Sequence, residues 1–218
     1  MEISTSILNV KKENIIQTIY DLEVAKTDYF HVDVMDGRFT KNDTSEKMRL
    51  YAEYLNQITN IPMDVHLMVT NIKEYIDSYN IFNPNIITFH LEACKSDEEV
   101  EKYIEYVKEN NCKVGLSIKP ETHVEKIYKF LPKINLVLIM TVEPGSGGQK
   151  FIEYTENKIV NLKNKIEELK LDTLIEVDGG INLETKEIVK QAGADIAVVG
   201  SAIINSKDFR YTISKLKE

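Results

Sequence analysis

Eight short apolar runs, each bounded by turn residues, alternate along this chain with longer Lys- and Glu-rich stretches that carry one apolar stripe. Few folds accept that rhythm. The apolar runs predict strands near 2–8, 29–34, 62–68, 85–90, 112–118, 135–140, 173–178 and 195–199, each of the length of a strand buried on both faces. The amphipathic stretches predict helices near 11–26, 45–58, 71–80, 97–110, 122–130, 151–169, 183–192 and 206–217, with stripes suited to an outer layer. Eight strand–helix units in 218 residues predict an α/β fold, a (β/α)8 TIM barrel, as one domain over 1–218. A doubly wound open sheet also alternates but usually has fewer strands and a switch point. Helix borders agree: Asn182 or Leu183 precedes a periodic run that stops at Gly193, and Thr70 or Asn71 can cap the helix carrying Ile72, Tyr75, Ile76 and Tyr79.

Within four of the predicted strands, polar residues recur two apart: Ser4 and Ser6, His31 and Asp33, Asp64 and His66, Glu176 and Asp178. Side chains two apart on a strand share a face. A buried carboxylate or imidazole is costly unless paired, so four such strands imply one convergent polar site. In a barrel, catalytic groups sit at the C-terminal strand ends, where His31, Asp33, His66 and Asp178 all fall. Two imidazoles and two carboxylates suit one divalent metal ion, with Zn, Fe, Mn and Co all compatible. His90, at the end of the fourth strand, belongs either behind a ligand or in the barrel packing; His123 starts a helix and is expected at the surface.

Glycines form a second group. EPGSGGQKF places Gly145, Gly147 and Gly148 around Ser146 after the sixth strand; Gly179–Gly180 follows the seventh and Gly200–Ser201 the eighth. Bare backbone N–H groups at such positions make an anion nest, and barrels commonly grip phosphate in the loops after strands seven and eight. Met35, Met68 and Met140 recur at strand ends, as packing or as a flexible apolar wall at the barrel mouth.

The formal net charge of −8 argues against nucleic acid or an anionic membrane as partner, though backbone N–H groups still hold a small anion. MEISTSILNVKKEN lacks a basic leader before an apolar run, so no signal peptide is expected. LVLIM and ADIAVVGSAII are too short to span a bilayer. Cys94 and Cys112 have neither metal-type spacing nor a disulfide-rich context, so a reduced, cytoplasmic setting is expected.

SILN, HVDVMDGRF, DVHLMV, FHLEA, MTVEPGSGGQKF, EVDGG and VGSAI, in order from residue 3 to residue 204, resemble the ribulose-phosphate 3-epimerases of the pentose phosphate pathway. The resemblance implies a ribulose-phosphate-binding barrel with a divalent metal on His31, Asp33, His66 and Asp178. The two aspartates would be the acid/base pair exchanging protons at C3 through an enediolate. It also implies that Ser6 touches substrate, that phosphate meets Gly145–Gly148, Gly179–Gly180 and Gly200–Ser201, and that the partner is a small sugar phosphate. Members are commonly oligomeric, which implies a homo-oligomer. Three positions depart from the family pattern: Thr5 stands for the usual Pro, RFTKN for a loop resembling FVPN, and Ser146 for the usual Phe. The last change keeps a six-carbon ketose phosphate, such as allulose 6-phosphate, as a rival substrate. A D-x-K-x-x-D decarboxylase is disfavoured because position 35 is Met.

Overall fold

The structure, a computed structural model, describes residues 1–218. Eight parallel strands close in sequence order into a barrel: β1 Glu2–Ser6, β2 Tyr29–Met35, β3 Met63–Met68, β4 Ile86–His90, β5 Lys113–Ile118, β6 Leu136–Met140, β7 Leu174–Asp178 and β8 Ile196–Val199. Helices α1 Ile15–Val24, α2 Ser45–Ile58, α3 Ile72–Asn80, α4 Asp97–Glu109, α5 Thr155–Leu169, α6 Lys186–Ala192, α7 Ser201–Ile204 and α8 Phe209–Lys217 lie between and after the strands. The fold is the (β/α)8 barrel that the alternation predicts.

Strand parity divides the buried side chains into two populations. Outward residues such as Ile3, Val32, Val65, Phe89, Leu116, Ile139, Val177 and Ala197 join a 52-residue apolar core shared with the helices. Inward apolar residues form a separate cluster of six: Ile86, Leu136, Leu138, Met140, Val142 and Ile196. Beyond these and Met35, Met68 and Val198, the interior is polar, from Ser4 and His31 through Thr88 and Ser117 to Glu176, all buried. Apolar burial contributes about 25 cal/mol per Å², so the sheet–helix layer carries most of the hydrophobic stabilisation. The interior is left to chemistry. Gly115 makes room there: a Cβ on it would lie 2.0 Å from Oγ1 of Thr88, its register partner on β4.

Several borders differ from expectation for local reasons. β1 stops at Ser6, not residue 8, because Leu8 N–H turns back to donate to Ser6 Oγ at 3.3 Å. The first helical stretch opens as a 3₁₀ turn, Lys12–Asn14, before α1. The stretch predicted as a helix at 122–130 is a 3₁₀ segment, Val124–Lys133, containing Pro132, which lacks a backbone donor. α5 starts at Thr155 because Ile152 N–H is held extended by Thr141 O at 2.9 Å. Thr70 and Asn71 do not cap α3. Thr70 donates from both N and Oγ1 to Asp36 Oδ2, and Asn71 Nδ2 goes to Glu74 Oε2. Ahead of α6, Asn182 Oδ1 accepts from Glu184 N and Thr185 N at 2.7 and 3.1 Å, while Leu183 is exposed. Gly193 ends that helix at φ +106°, a left-handed stop that glycine adopts without strain.

Candidate active site at the C-terminal mouth of the barrel

His31 and Asp33 on β2, His66 on β3 and Asp178 on β7 converge below the C-terminal mouth, and one ligand atom from each lies within 4.8 Å of every other. Parity explains the meeting: each pair of adjacent strands places these residues on the inward face, with Asp33 level with His66 in the β2–β3 register. His31 Nε2 is 3.3 Å from Asp33 Oδ1; His66 Nδ1 is 3.6 Å from Asp33 Oδ1 and 3.7 Å from Asp178 Oδ2. His31 Nε2 and His66 Nδ1 are fully buried and make no hydrogen bond. Buried imidazole nitrogens rarely stay unpaired. Here His66 Nδ1 faces two carboxylates and His31 Nε2 one of them, together the donor set of a divalent transition metal. The four residues therefore fit such an ion.

The far sides of these ligands are held. Ser6 Oγ donates to Asp33 Oδ2 at 2.7 Å, leaving Oδ1 toward the cluster. Asp64 Oδ2 accepts from Ser4 Oγ at 2.8 Å and meets His31 Nδ1 at 2.5 Å. That keeps a proton on His31 Nδ1, so Nε2 is the nitrogen that a cation would take in place of its proton. One step deeper, Glu176 is buried with both carboxyl oxygens unpartnered, and burial with the nearby Asp64 charge holds it well above the usual carboxylate range.

The electrostatics split the two aspartates. Burial opposes ionisation of Asp33, yet the charge and hydrogen bond of His31, with His66 beside it, keep the carboxyl far below its usual range. Asp178 is pushed up to about 7, first by burial and then by the charge of Asp33. Burial also works against a charged His31, but Asp64 and Asp33 outweigh it and hold the imidazole well above 6.5. His66 is lowered, mainly by burial. Two carboxyl groups of opposite tendency in one site are the usual ingredients of acid/base chemistry.

Above the cluster opens a cavity of about 640 Å³. Its floor includes Ser6, Asp33 and Asp178; Met35, Met68 and Met140 are on its wall. Met35 and Met68 are register partners, and Met140 pairs with Asp178. All three glycine groups line it: Gly145, Gly147 and Gly148 with Ser146, then Gly179 and Gly180, then Gly200 and Ser201 at the start of α7. His31 and His66 lie beneath this surface rather than on it. At Gly180, φ is +72° and a Cβ would sit 2.3 Å from Phe151 N, so only glycine fits between the two loops. The loop around Ser146 leans on the β2 loop through Asn42 Nδ2, which donates to Gly145 O at 2.7 Å. Gln149 closes it on itself, donating to Glu143 O and Ser146 O at 2.7 and 2.8 Å.

His90 is fully buried behind His66, with 2.9 Å between the two Nε2 atoms, and His123 is exposed. Asp64 and Glu176 were visible as alternating polar residues but belong to the layer below the cluster. Asn42 and Glu92 carry no sequence pattern that marks them. No helix is long and apolar enough to cross a membrane.

Fold and site together define a barrel enzyme with a compact His₂Asp₂ group under a glycine-lined cavity. The profile of the Ribulose-phosphate 3 epimerase family matches residues 2–204. Ribulose-phosphate 3-epimerase of Bacillus subtilis (strain 168) is 38% identical over 218 residues, covering 100% of this chain and 98% of that protein. The enzyme of the same name from Methanocaldococcus jannaschii is 38% identical over 218 residues, covering 100% and 90%. The chain belongs to the ribulose-phosphate 3-epimerase family, and it is an isomerase acting on carbohydrates. More distant structures share the frame alone. A 3-hexulose-6-phosphate synthase superposes with TM-score 0.72 at 14% identity, covering 100% of this chain and 98% of that one. Phosphoribosylanthranilate isomerase from Thermotoga maritima superposes at 0.68 and 12%, covering 100% and 96%.

Proposed function

We propose that this protein interconverts D-ribulose 5-phosphate and D-xylulose 5-phosphate by two-base proton transfer at C3. The observation that carries the reading is the approach of Asp33 from β2 and Asp178 from β7 to one atom, His66 Nδ1, at 3.6 and 3.7 Å. Inverting a carbon beside a carbonyl needs a proton removed from one face and another delivered to the opposite face. Two carboxyl groups from separate arcs of the ring supply both. In one direction Asp33 takes the proton and Asp178 gives one; on reversal they exchange. Ser6 holds Asp33 through Oδ2, so Oδ1 stays aimed at the reacting centre.

His31, Asp33, His66 and Asp178 would hold one divalent cation, which when bound supplies positive charge that stabilises the enediolate, while one aspartate stays ionised to take a proton and the other carries the proton it gives. The metal is one of Zn, Fe, Mn or Co. Backbone N–H groups of Gly145–Gly148, Gly179–Gly180 and Gly200–Ser201 grip the phosphate of the substrate. Met35, Met68 and Met140, buried with their ends on the cavity wall, give the sugar carbons an apolar surface that limits water. The chain acts as one domain over 1–218 on a small sugar phosphate, in the cytoplasm and as a homo-oligomer, with neither nucleic acid nor membrane as partner.

Ser146 is exposed in the loop over the cavity and covers less of a bound sugar than the aromatic usual at that place. That supports a second reading, a six-carbon ketose phosphate processed by the same residues. The deciding experiment incubates metal-loaded protein with D-ribulose 5-phosphate in D₂O and follows xylulose 5-phosphate and C3 deuterium by NMR, with D-allulose 6-phosphate in parallel. Product with C3 labelling supports the five-carbon reading. Labelling of the six-carbon sugar alone moves the substrate, and no exchange on either refutes the two-base proposal. Asp33→Asn and Asp178→Asn should each abolish turnover in the same assay.

A further inference from the structure

The FHLEA segment, Phe89–Ala93, leaves two polar residues that the acid/base chemistry does not use, buried His90 and half-buried Glu92. His90 Nε2 lies 2.9 Å from His66 Nε2, and His90 Nδ1 lies 3.2 Å from Glu92 Oε2. Glu92 Oε1 in turn accepts from Lys119 N at 2.8 Å and from Thr122 Oγ1. Both histidines are fully buried, so the contact between them is closed to water. The His90 ring is stacked on His66, centroids 5.0 Å apart at 27°, and is covered by Phe39 at 4.8 Å. Lys119 Nζ caps Phe39, 4.3 Å from its ring centroid.

Hydrogen-bond logic fixes every proton in this row. A carboxylate only accepts, so His90 must carry its proton on Nδ1 and a lone pair on Nε2. Facing that lone pair, His66 must carry its proton on Nε2. Its Nδ1, the atom between Asp33 and Asp178, is then bare and free to ligate. We propose that Glu92 and His90 are positioning residues that set the tautomer of His66 and so prepare its Nδ1 for a cation, an inference that rests on the cation reading above. Glu92 acts two hydrogen bonds away from the atom it controls.

Glu92→Gln reverses the row without emptying it. The backbone N–H of Lys119 and the hydroxyl of Thr122 both need an acceptor, so the Gln oxygen takes their side and its NH₂ faces His90. His90 must then accept on Nδ1 and donate from Nε2, and His66 must accept on Nε2 and carry its proton on Nδ1, inside the site. The test has two readouts. Long-range ¹H–¹⁵N NMR of the metal-free proteins reports which His66 nitrogen is protonated, and competition against a chelating dye reports Co(II) affinity. The expected result is Nε2-protonated His66 in wild type, Nδ1-protonated His66 in Glu92→Gln, and Co(II) affinity lowered roughly 10- to 100-fold. Glu92→Asp, which keeps a carboxylate, should restore the wild-type tautomer.

A weaker Co(II) site with an unchanged tautomer would mean ordinary structural damage and overturn the proposal. So would wild-type His66 protonated on Nδ1, a result that needs no variant to fold. If wild-type protein takes up no Co(II), the cation reading fails on its own. The His66 tautomer in the two metal-free proteins then still decides whether Glu92 sets it.

Discussion

Metal-free protein should lose stability as pH rises from about 4 to about 7: buried Glu176 contributes in that direction, and so does Asp178. Its carboxyl is pushed from 3.8 up to about 7 in the folded chain, by burial and then by the charge of Asp33. Below 3.8 the group is protonated in folded and unfolded chains alike. Between the two values the folded chain keeps a proton that the unfolded chain has released, so stability falls through that window. Above about 7 both forms are ionised and the full penalty remains. Every tenfold rise in proton affinity on folding corresponds to about 1.4 kcal/mol, so the rise at Asp178, roughly a thousandfold, amounts to about 4 kcal/mol. Asn in place of Asp keeps the shape and cannot ionise. Urea unfolding of metal-free wild type and Asp178→Asn, at steps from about pH 4 to about pH 8, reads the contribution of this carboxyl together with its pull on Asp33 and His31. The two should be closest near pH 4 and diverge by about 4 kcal/mol near pH 8, with the variant the more stable. A difference that stays constant across the range refutes the argument. Adding the cation should recover wild-type stability at high pH, since a ligand that binds only the folded chain stabilises it.

Other perturbations follow from particular contacts. Gly115→Ala drives a methyl to 2.0 Å from Thr88 Oγ1 and should cost about 1–3 kcal/mol in thermal or chemical unfolding. Asn42→Ala removes the hydrogen bond to Gly145 O, worth about 0.5–1.5 kcal/mol, and should raise KM roughly 2- to 10-fold while barely changing the melting temperature. Burial pushes the thiols of Cys94 and Cys112 up to about 12. Both should therefore resist a disulfide reagent at neutral pH, and Cys94→Ser should leave turnover within about twofold.

The strands were legible because parallel strands buried on both faces leave short, dense apolar runs, and all eight lie within two residues of expectation at either end. Helix starts were less so, because the residues that delay them act over distance: Thr141 O holds Ile152 and Asp36 takes both donors of Thr70. The short α7, Ser201–Ile204, hides in a sequence that reads as a glycine loop. His31, Asp33, His66 and Asp178 could be picked out because a polar residue every second position inside an apolar run has few innocent explanations. Of the partners behind them, Ser4, Ser6, Asp64 and Glu176 share that alternation and His90 stands at a strand end, but Glu92 could not be picked out. Glu92 is one acid among many in the sequence: its contact with His90 is two residues away, but only the fold brings Lys119 N and Thr122 Oγ1 onto its other oxygen. Asn42 meets Gly145 across 103 residues of chain, a contact without local periodicity.

The split between outward and inward side chains has a genetic consequence. In a library of single substitutions along β2, scored once for abundance and once for growth that requires the activity, the two scores should rise and fall out of phase. Phe30, Val32 and Val34 would be intolerant by abundance, and His31, Asp33 and Met35 by growth alone. A lineage can thus rewrite every second letter of its strands toward a new reaction while the letters between keep the vessel intact.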